Sequence, residues 1–297
     1  MRDIKKNLYV TNTGNDTTEI YNINSRSNPV RISEFGAGDL SAPCGMARKG
    51  NILYIGNSRD STVEIYNIGR LTMPKRIGQF GQGDLANPNG LAIKENALYV
   101  TNLVDSTVEV YDISDPRHPK RVREFGAGEL HRPDGLAVNG NILYVSNSED
   151  ASIEIYNVCN PYNPKRIGQF GNDTEISNHI GMAIIGEILY VANFQLIHAN
   201  TISIYCISNP KHPEFISRFG SGFLNGPVEL AITCNTLYVS NFNNNTIEVF
   251  DICERTAPVH VGEFNAGNLN RPFGLLIVRE EVCMKCGCKC IRLFSED

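Results

Sequence analysis

The sequence predicts an all-β fold of six repeated units closed into a ring. Three observations predict it. The tripeptide Leu-Tyr-Val, in one copy Leu-Tyr-Ile, returns six times, with tyrosines at Tyr9, Tyr54, Tyr99, Tyr144, Tyr190 and Tyr238 spaced by 45, 45, 45, 46 and 48 residues. Each repeat holds four short runs rich in Val, Ile, Tyr and Phe, punctuated by Gly, Pro, Asn and Asp, the pattern of strand and turn. No segment shows an apolar period of 3.6 residues, so almost no helix is expected. A unit of this size cannot bury its own apolar face and must stack on its neighbours. Four strands per repeat match the blade of a β-propeller, here six-bladed.

The third repeat shows the elements in order. Asn96 to Asn102 and Ser106 to Ile113 are two strand runs, followed by His118 to Phe125. A Gly-Ala-Gly turn from Gly126 and the Pro133-Asp134-Gly135 step then lead into Leu136-Ala137-Val138. Repeats start near residues 6, 51, 96, 141, 187 and 235, so residues 6–278 form the ring, after a short leader at 1–5. The chain begins on a second strand, Asn7 to Val10, and its last repeat ends on an inner strand, Gly274 to Val278. The C-terminal inner strand is therefore expected to close the first blade, beside residues 6–36. Closure removes two open sheet edges that could otherwise pair with other chains.

Two further patterns read as structural. A Glu on the third strand precedes an Arg on the fourth by twelve residues in Glu19/Arg31, Glu64/Arg76, Glu109/Arg121 and Glu154/Arg166. The sixth copy is Glu248/His260, and in the fifth both partners change, to Ser203 and Phe215. Joint loss marks them as cross-strand neighbours. Asn12, Asn57, Asn102, Asn147, Asn193 and Asn241 recur in every repeat and read as turn-capping groups rather than a site.

Tyr9-Val10-Thr11-Asn12 and Tyr99-Val100-Thr101-Asn102 resemble YVTN-type propeller repeats. The spacing from Phe80-Gly81 through Pro88 and Gly90 to Leu91-Ala92 resembles NHL repeats. The resemblance covers about residues 6–278. It implies a propeller and leaves function open among interaction platforms, surface-layer components, lactonases and lyases. Propeller lactonases so resembled hold a central calcium with carboxylates and Asn side chains. The comparable positions here are Cys44, Asn89, Asp134, Ile180, Val228 and Phe273, of which only Asn89 and Asp134 could ligate.

The 297 residues could make two domains by length alone, but the ring uses most of them. A net charge of −5 without a Lys/Arg cluster argues against nucleic acid as partner. Residues 1–6 have no apolar signal region and no run is long enough to span a bilayer, so cytoplasmic synthesis without membrane insertion is expected.

Residues 279–297 are foreign to the repeat and hold Cys283, Cys286, Cys288 and Cys290 within eight residues. The thiols could cross-link copies of the chain, bind zinc or copper, or stay reduced. Of the other cysteines, Cys206 and Cys253 are expected in the core.

In a symmetric ring, an asymmetric ligand needs broken symmetry. The fifth repeat has an insertion between Asn193 and Thr201 carrying Leu196, Ile197 and His198. His179 stands in the preceding connection where Pro is usual, and Glu229 replaces the Gly of Gly45, Gly90, Gly135, Gly181 and Gly274. The loops concerned should open on one face. His179, His198 and Glu229 could then hold a divalent metal or act as acid and base, with Leu196 and Ile197 in a binding surface. Arg48 is a further exception among apolar equivalents. The sequence reading favours a non-enzymatic structural or interaction protein that binds protein partners or copies of itself, with a bacterial cell-surface or spore-surface layer as the setting that the resemblance suggests. Its alternative is a propeller lyase or lactone hydrolase with a site on one rim sector.

Overall fold

A computed structural model describes residues 3–171, 179–194, 200–265, 267–282 and 291–293. It excludes the side chains of 3–4, 179–180, 280–282 and 291–293. Among these residues there is no helix, and the strands form six antiparallel blades. Blade 2 is Pro43–Lys49, Ile52–Asn57, Thr62–Asn67 and Lys75–Phe80, from channel to rim. Blade 3 is Pro88–Lys94, Ala97–Asn102, Thr107–Asp112 and Lys120–Phe125. Blade 4 is Pro133–Asn139, Ile142–Asn147, Ser152–Asn157 and Lys165–Phe170. Blade 5 is His179–Ile185, Ile188–Asn193, Thr201–Cys206 and Glu214–Phe219. Blade 6 is Pro227–Thr233, Thr236–Asn241, Thr246–Asp251 and Val259–Phe264.

Blade 1 closes the ring as the sequence predicts. Its inner strand, Pro272–Val282, pairs with Asp3–Asn12, followed by Thr17–Asn22 and Val30–Phe35. The pairing runs from Asn12↔Pro272 out to Asp3↔Val282, and Ile291–Leu293 adds a short strand beside Glu280–Val282.

The core lies between blades. Tyr9 and Ile20 of blade 1 pack on Leu53, Ile55 and Tyr66 of blade 2, and the same wedge repeats around the ring. The repeated tyrosines are fully buried and tie neighbouring blades together. The Tyr9 hydroxyl donates to the Leu71 carbonyl at 2.6 Å, Tyr99 to Pro161 at 2.7 Å and Tyr190 to Arg255 at 2.8 Å. Each bond satisfies a polar group that would otherwise be buried alone, worth about 1 kcal/mol net.

The Asn residues clamp the loop that enters the inner strand. Asn241 accepts from Asn225 N–H at 2.6 Å and donates to the Phe223 carbonyl at 3.2 Å. Asn12 does the same to Asn270 and Asn268, at 2.6 and 2.7 Å. The Glu–Arg pairs are cross-strand contacts of 2.5–2.7 Å, made diagonally across a bulge. In blade 5 Ser203 instead accepts from Asn193 at 2.9 Å and Phe215 packs on Tyr205.

Two expectations are corrected. Cys206 is only half-buried and Cys253 is exposed, because both lie where the third strand leaves the sheet for the surface. Among the described residues the buried thiol is Cys44. Arg48 is half-buried and bonds the Gly50 carbonyl at 2.9 Å, at the mouth of a hairpin.

Candidate functional site

The six inner strands meet at the axis, and a Gly in five of them makes that approach possible. A Cβ on Gly90 would fall 2.2 Å from the Asp134 carbonyl oxygen of the next blade, and one on Gly274 2.2 Å from that of Cys44. Hydroxyls from second strands lock the arrangement. Thr101 accepts from Gly90 N–H at 2.7 Å and donates to the Asp134 carbonyl at 2.8 Å. Thr11 links Gly274 N–H and the Cys44 carbonyl in the same way, at 2.6 and 2.8 Å.

The loops between second and third strands share a face with the loops that enter the inner strands. Ser58 N–H bonds the Ala42 carbonyl and Phe242 N–H bonds that of Gly226. The inner-strand residues before the glycines therefore sit at the mouth of the channel on this loop face. Blades 2, 3 and 4 contribute Cys44, Asn89 and Asp134 there, all buried. Blades 6 and 1 contribute Val228 and Phe273.

The polar half is poised for chemistry. Asn89 Oδ1 and Asp134 Oδ1 are buried and have no hydrogen-bond partner among the described residues. Burial pushes the Asp134 carboxyl up to about 7, with Arg132 pulling weakly the other way. Cys44 is a protonated donor rather than a nucleophile. Its thiol bonds the Ala42 and Pro88 carbonyls at 3.3 and 3.4 Å, and burial pushes it up to about 12.

Glu229 takes the position that is Gly in the other five blades. Its N–H donates to Ser240 at 2.8 Å, and its Oε1 accepts from Leu230 N–H at 3.2 Å. The carboxyl lies against Gly181, whose missing side chain leaves it room, since a Cβ there would be 2.8 Å from Oε1. Burial pushes Glu229 up to about 8, opposed by the Leu230 N–H bond and aided by the charge of Asp134. The group touches solvent in the channel, but surrounding protein desolvates it. Asp134 and Glu229 are thus two buried carboxyls close enough to feel each other.

Of the residues singled out in sequence, Glu229 is described in full. His179 begins an inner strand opposite Asn193, and its side chain lies outside the described residues. Leu196, Ile197, His198, Cys283, Cys286, Cys288 and Cys290 lie outside them altogether. Among the described residues no three His, Cys, Asp or Glu side chains group to hold a metal ion. The donors do not fit a calcium cage: Asn89 and Asp134 supply oxygens, Cys44 a protonated thiol, and Val228 and Phe273 nothing.

Sequence reasoning missed an aromatic wall on the loop face. Phe194 begins the loop of blade 5, Phe242 that of blade 6, and Phe273 lies on the inner strand of blade 1. Phe242 meets both others edge-on at 6.3 Å. At the equivalent place the Thr13 hydroxyl bonds the next blade's Pro43 carbonyl, and the Ser58 hydroxyl bonds the Ala42 carbonyl at the entry to its own blade's inner strand. The signal was there: one repeat position changes from hydroxyl to Phe in two consecutive copies.

No family model and no curated protein sequence matches the chain. Its fold is found among solved structures. A candidate 6-phosphogluconolactonase from Bacteroides fragilis superposes with a TM-score of 0.71 at 12% identity, over 92% of this chain and 98% of that one. A chain of a nidogen/laminin complex gives 0.68 at 14%, over 92% and 98%. The periplasmic gluconolactonase of Pseudomonas aeruginosa gives 0.66 at 12%, over 93% and 99%. At such identity the likeness establishes the six-bladed propeller. The names of the first and third overturn the expectation of a non-enzymatic structural or surface-layer protein and back its alternative, the lactone hydrolase.

Proposed function

We propose that this chain is a lactone hydrolase whose site is the loop-face mouth of the channel. The observation that carries the reading is the pair of buried carboxyls, Asp134 and Glu229, pushed up to about 7 and about 8. Between those values one carboxyl is largely ionised and the other largely protonated, the division of labour that acid–base catalysis needs. Ionised Asp134 takes a proton from water as the water oxygen bonds to the lactone carbonyl carbon. Protonated Glu229 gives its proton to the ring oxygen as the ring carbon–oxygen bond breaks. The product is the open hydroxy acid, and the two carboxyls exchange the proton back through water. Asn89, beside Asp134, offers its amide to the carbonyl oxygen.

The names of two structural neighbours support the same reaction class. The repeats themselves we read as YVTN- and NHL-type variants, on the motifs alone. The test is hydrolysis of glucono-δ-lactone and of dihydrocoumarin by the purified chain, with Asp134→Asn alongside. A rate at least ~100-fold lower for the variant is expected for loss of a general base. Hydrolysis that survives in folded Asp134→Asn would rule out this site.

A further inference from the structure

The channel mouth is split by chemistry. On the side of blades 2 to 4 stand two buried acceptors without partners, Asn89 Oδ1 and Asp134 Oδ1. On the side of blades 5, 6 and 1 stand Phe194, Phe242, Phe273 and Val228. The phenylalanines are each half-buried, so they pack on one another yet keep part of their surface exposed. The wall is built rather than incidental. Gly226 adopts φ +73, and a Cβ on it would come within 2.9 Å of the Phe194 ring, so both backbone and packing reserve that place for Gly. The Arg271 guanidinium lies 5.8 Å from the Phe242 ring centroid and holds the ring from one side.

We infer that the preferred substrate is an aryl-substituted lactone, which lays its aromatic ring on Phe242 and Phe273 and turns its ester toward Asp134. A free sugar lactone carries hydroxyls on every face. Seating one here would press some of them against the three rings without hydrogen bonds, which is unfavourable. A fused aryl lactone has one apolar and one polar edge and matches the split. Phe242 and Phe273 are then specificity-determining residues, not catalytic ones. The inference deepens the lactonase reading and rests on it for the chemistry, while its binding test does not depend on turnover.

The test uses lactams, which have the shape of lactones but resist hydrolysis. The full chain is titrated by calorimetry with the bicyclic lactam analogue of dihydrocoumarin and with gluconolactam. The aryl lactam should bind at least ~10-fold tighter, as one good aromatic contact provides. Phe242→Ala and Phe273→Ala should each weaken it ~10-fold and leave gluconolactam within ~2-fold. Phe242→Leu keeps most of the volume, so it reports loss of the ring even if the alanine variants do not fold. Tighter binding of gluconolactam, or unchanged aryl-lactam affinity in a folded Phe242→Leu, overturns the inference. Aryl-lactam preference without any lactone hydrolysis would uphold this wall and sink the acid–base reading. Hydrolysis of glucono-δ-lactone with no aryl preference would do the reverse.

Discussion

Blades 3 and 6 share register, Tyr, Asn clamp and hydroxyl lock, yet differ where their inner strands face the channel. Blade 3 has Gly90, which lets Asp134 approach; blade 6 has Glu229, which fills the space left by Gly181. In blade 3 the residue after the second strand is Leu103, and in blade 6 the matching residue is Phe242. The difference teaches that positions kept in all blades hold the ring together, whereas positions that differ between blades furnish the channel. Swapping residues between the two kinds of position should therefore have opposite effects on stability and activity.

The largest effect is expected at the shared Gly. Gly90→Ala places a Cβ 2.2 Å from a backbone oxygen of the next blade, which cannot retreat without opening the ring. A loss of several kcal/mol is expected, read as a fall in thermal midpoint or loss of soluble protein. Glu229→Gly does the converse: it restores symmetry and removes a buried carboxyl. Its midpoint at pH 8 should equal or exceed that of the parent, while lactone hydrolysis should fall by ~100-fold.

The cross-strand pairs come next. Glu109 is buried and bonds Arg121 at 2.7 Å, and Arg121 also bonds Glu124 at 2.8 Å. The guanidinium is more than a third exposed, so Glu109→Ala should cost only about 1–2 kcal/mol of stability by denaturant titration. Tyr99→Phe loses the hydroxyl bond to Pro161 and should cost about 1 kcal/mol.

Stability should also depend on pH in a defined direction. Asp134 and Glu229 have folded-state values raised above the ordinary carboxylate range. Between about pH 4 and pH 8 the folded chain holds more protons at these groups than the unfolded chain. Their contribution is fully present below the unfolded value and is lost as pH rises through 7 and 8. The buried Glu64, Glu109 and Glu154 are raised by desolvation, against the pull of their arginines, and act in the same sense. The double variant Asp134→Asn, Glu229→Gln should flatten the slope of unfolding free energy with pH, measured by urea titration across this window.

Much of this was legible in sequence because the repeat is its own control. The tyrosine period gave the blades, the unmatched first and last strands gave the closure, and the covarying Glu and Arg gave the cross-strand pair. Glu229 stood out because five copies have Gly. Asp134 entered only as one of two positions able to ligate calcium, since its equivalents are all different and only burial makes an Asp unusual. The Phe194–Phe242–Phe273 wall was hidden for a similar reason. Each Phe is ordinary alone, and their convergence depends on the loops of two blades meeting the inner strand of a third. Cys206 and Cys253 misled because small apolar character suggests a core, whereas strand ends decide exposure.

The central claim is that Asp134 acts as base and Glu229 as acid in one channel. Its most direct test is the pH dependence of kcat/KM for lactone hydrolysis in the parent and in Glu229→Gln. A bell with limbs near pH 7 and pH 8 is predicted, with the alkaline limb abolished in the variant. A rate that rises steadily with pH, or a bell unchanged by Glu229→Gln, would contradict it.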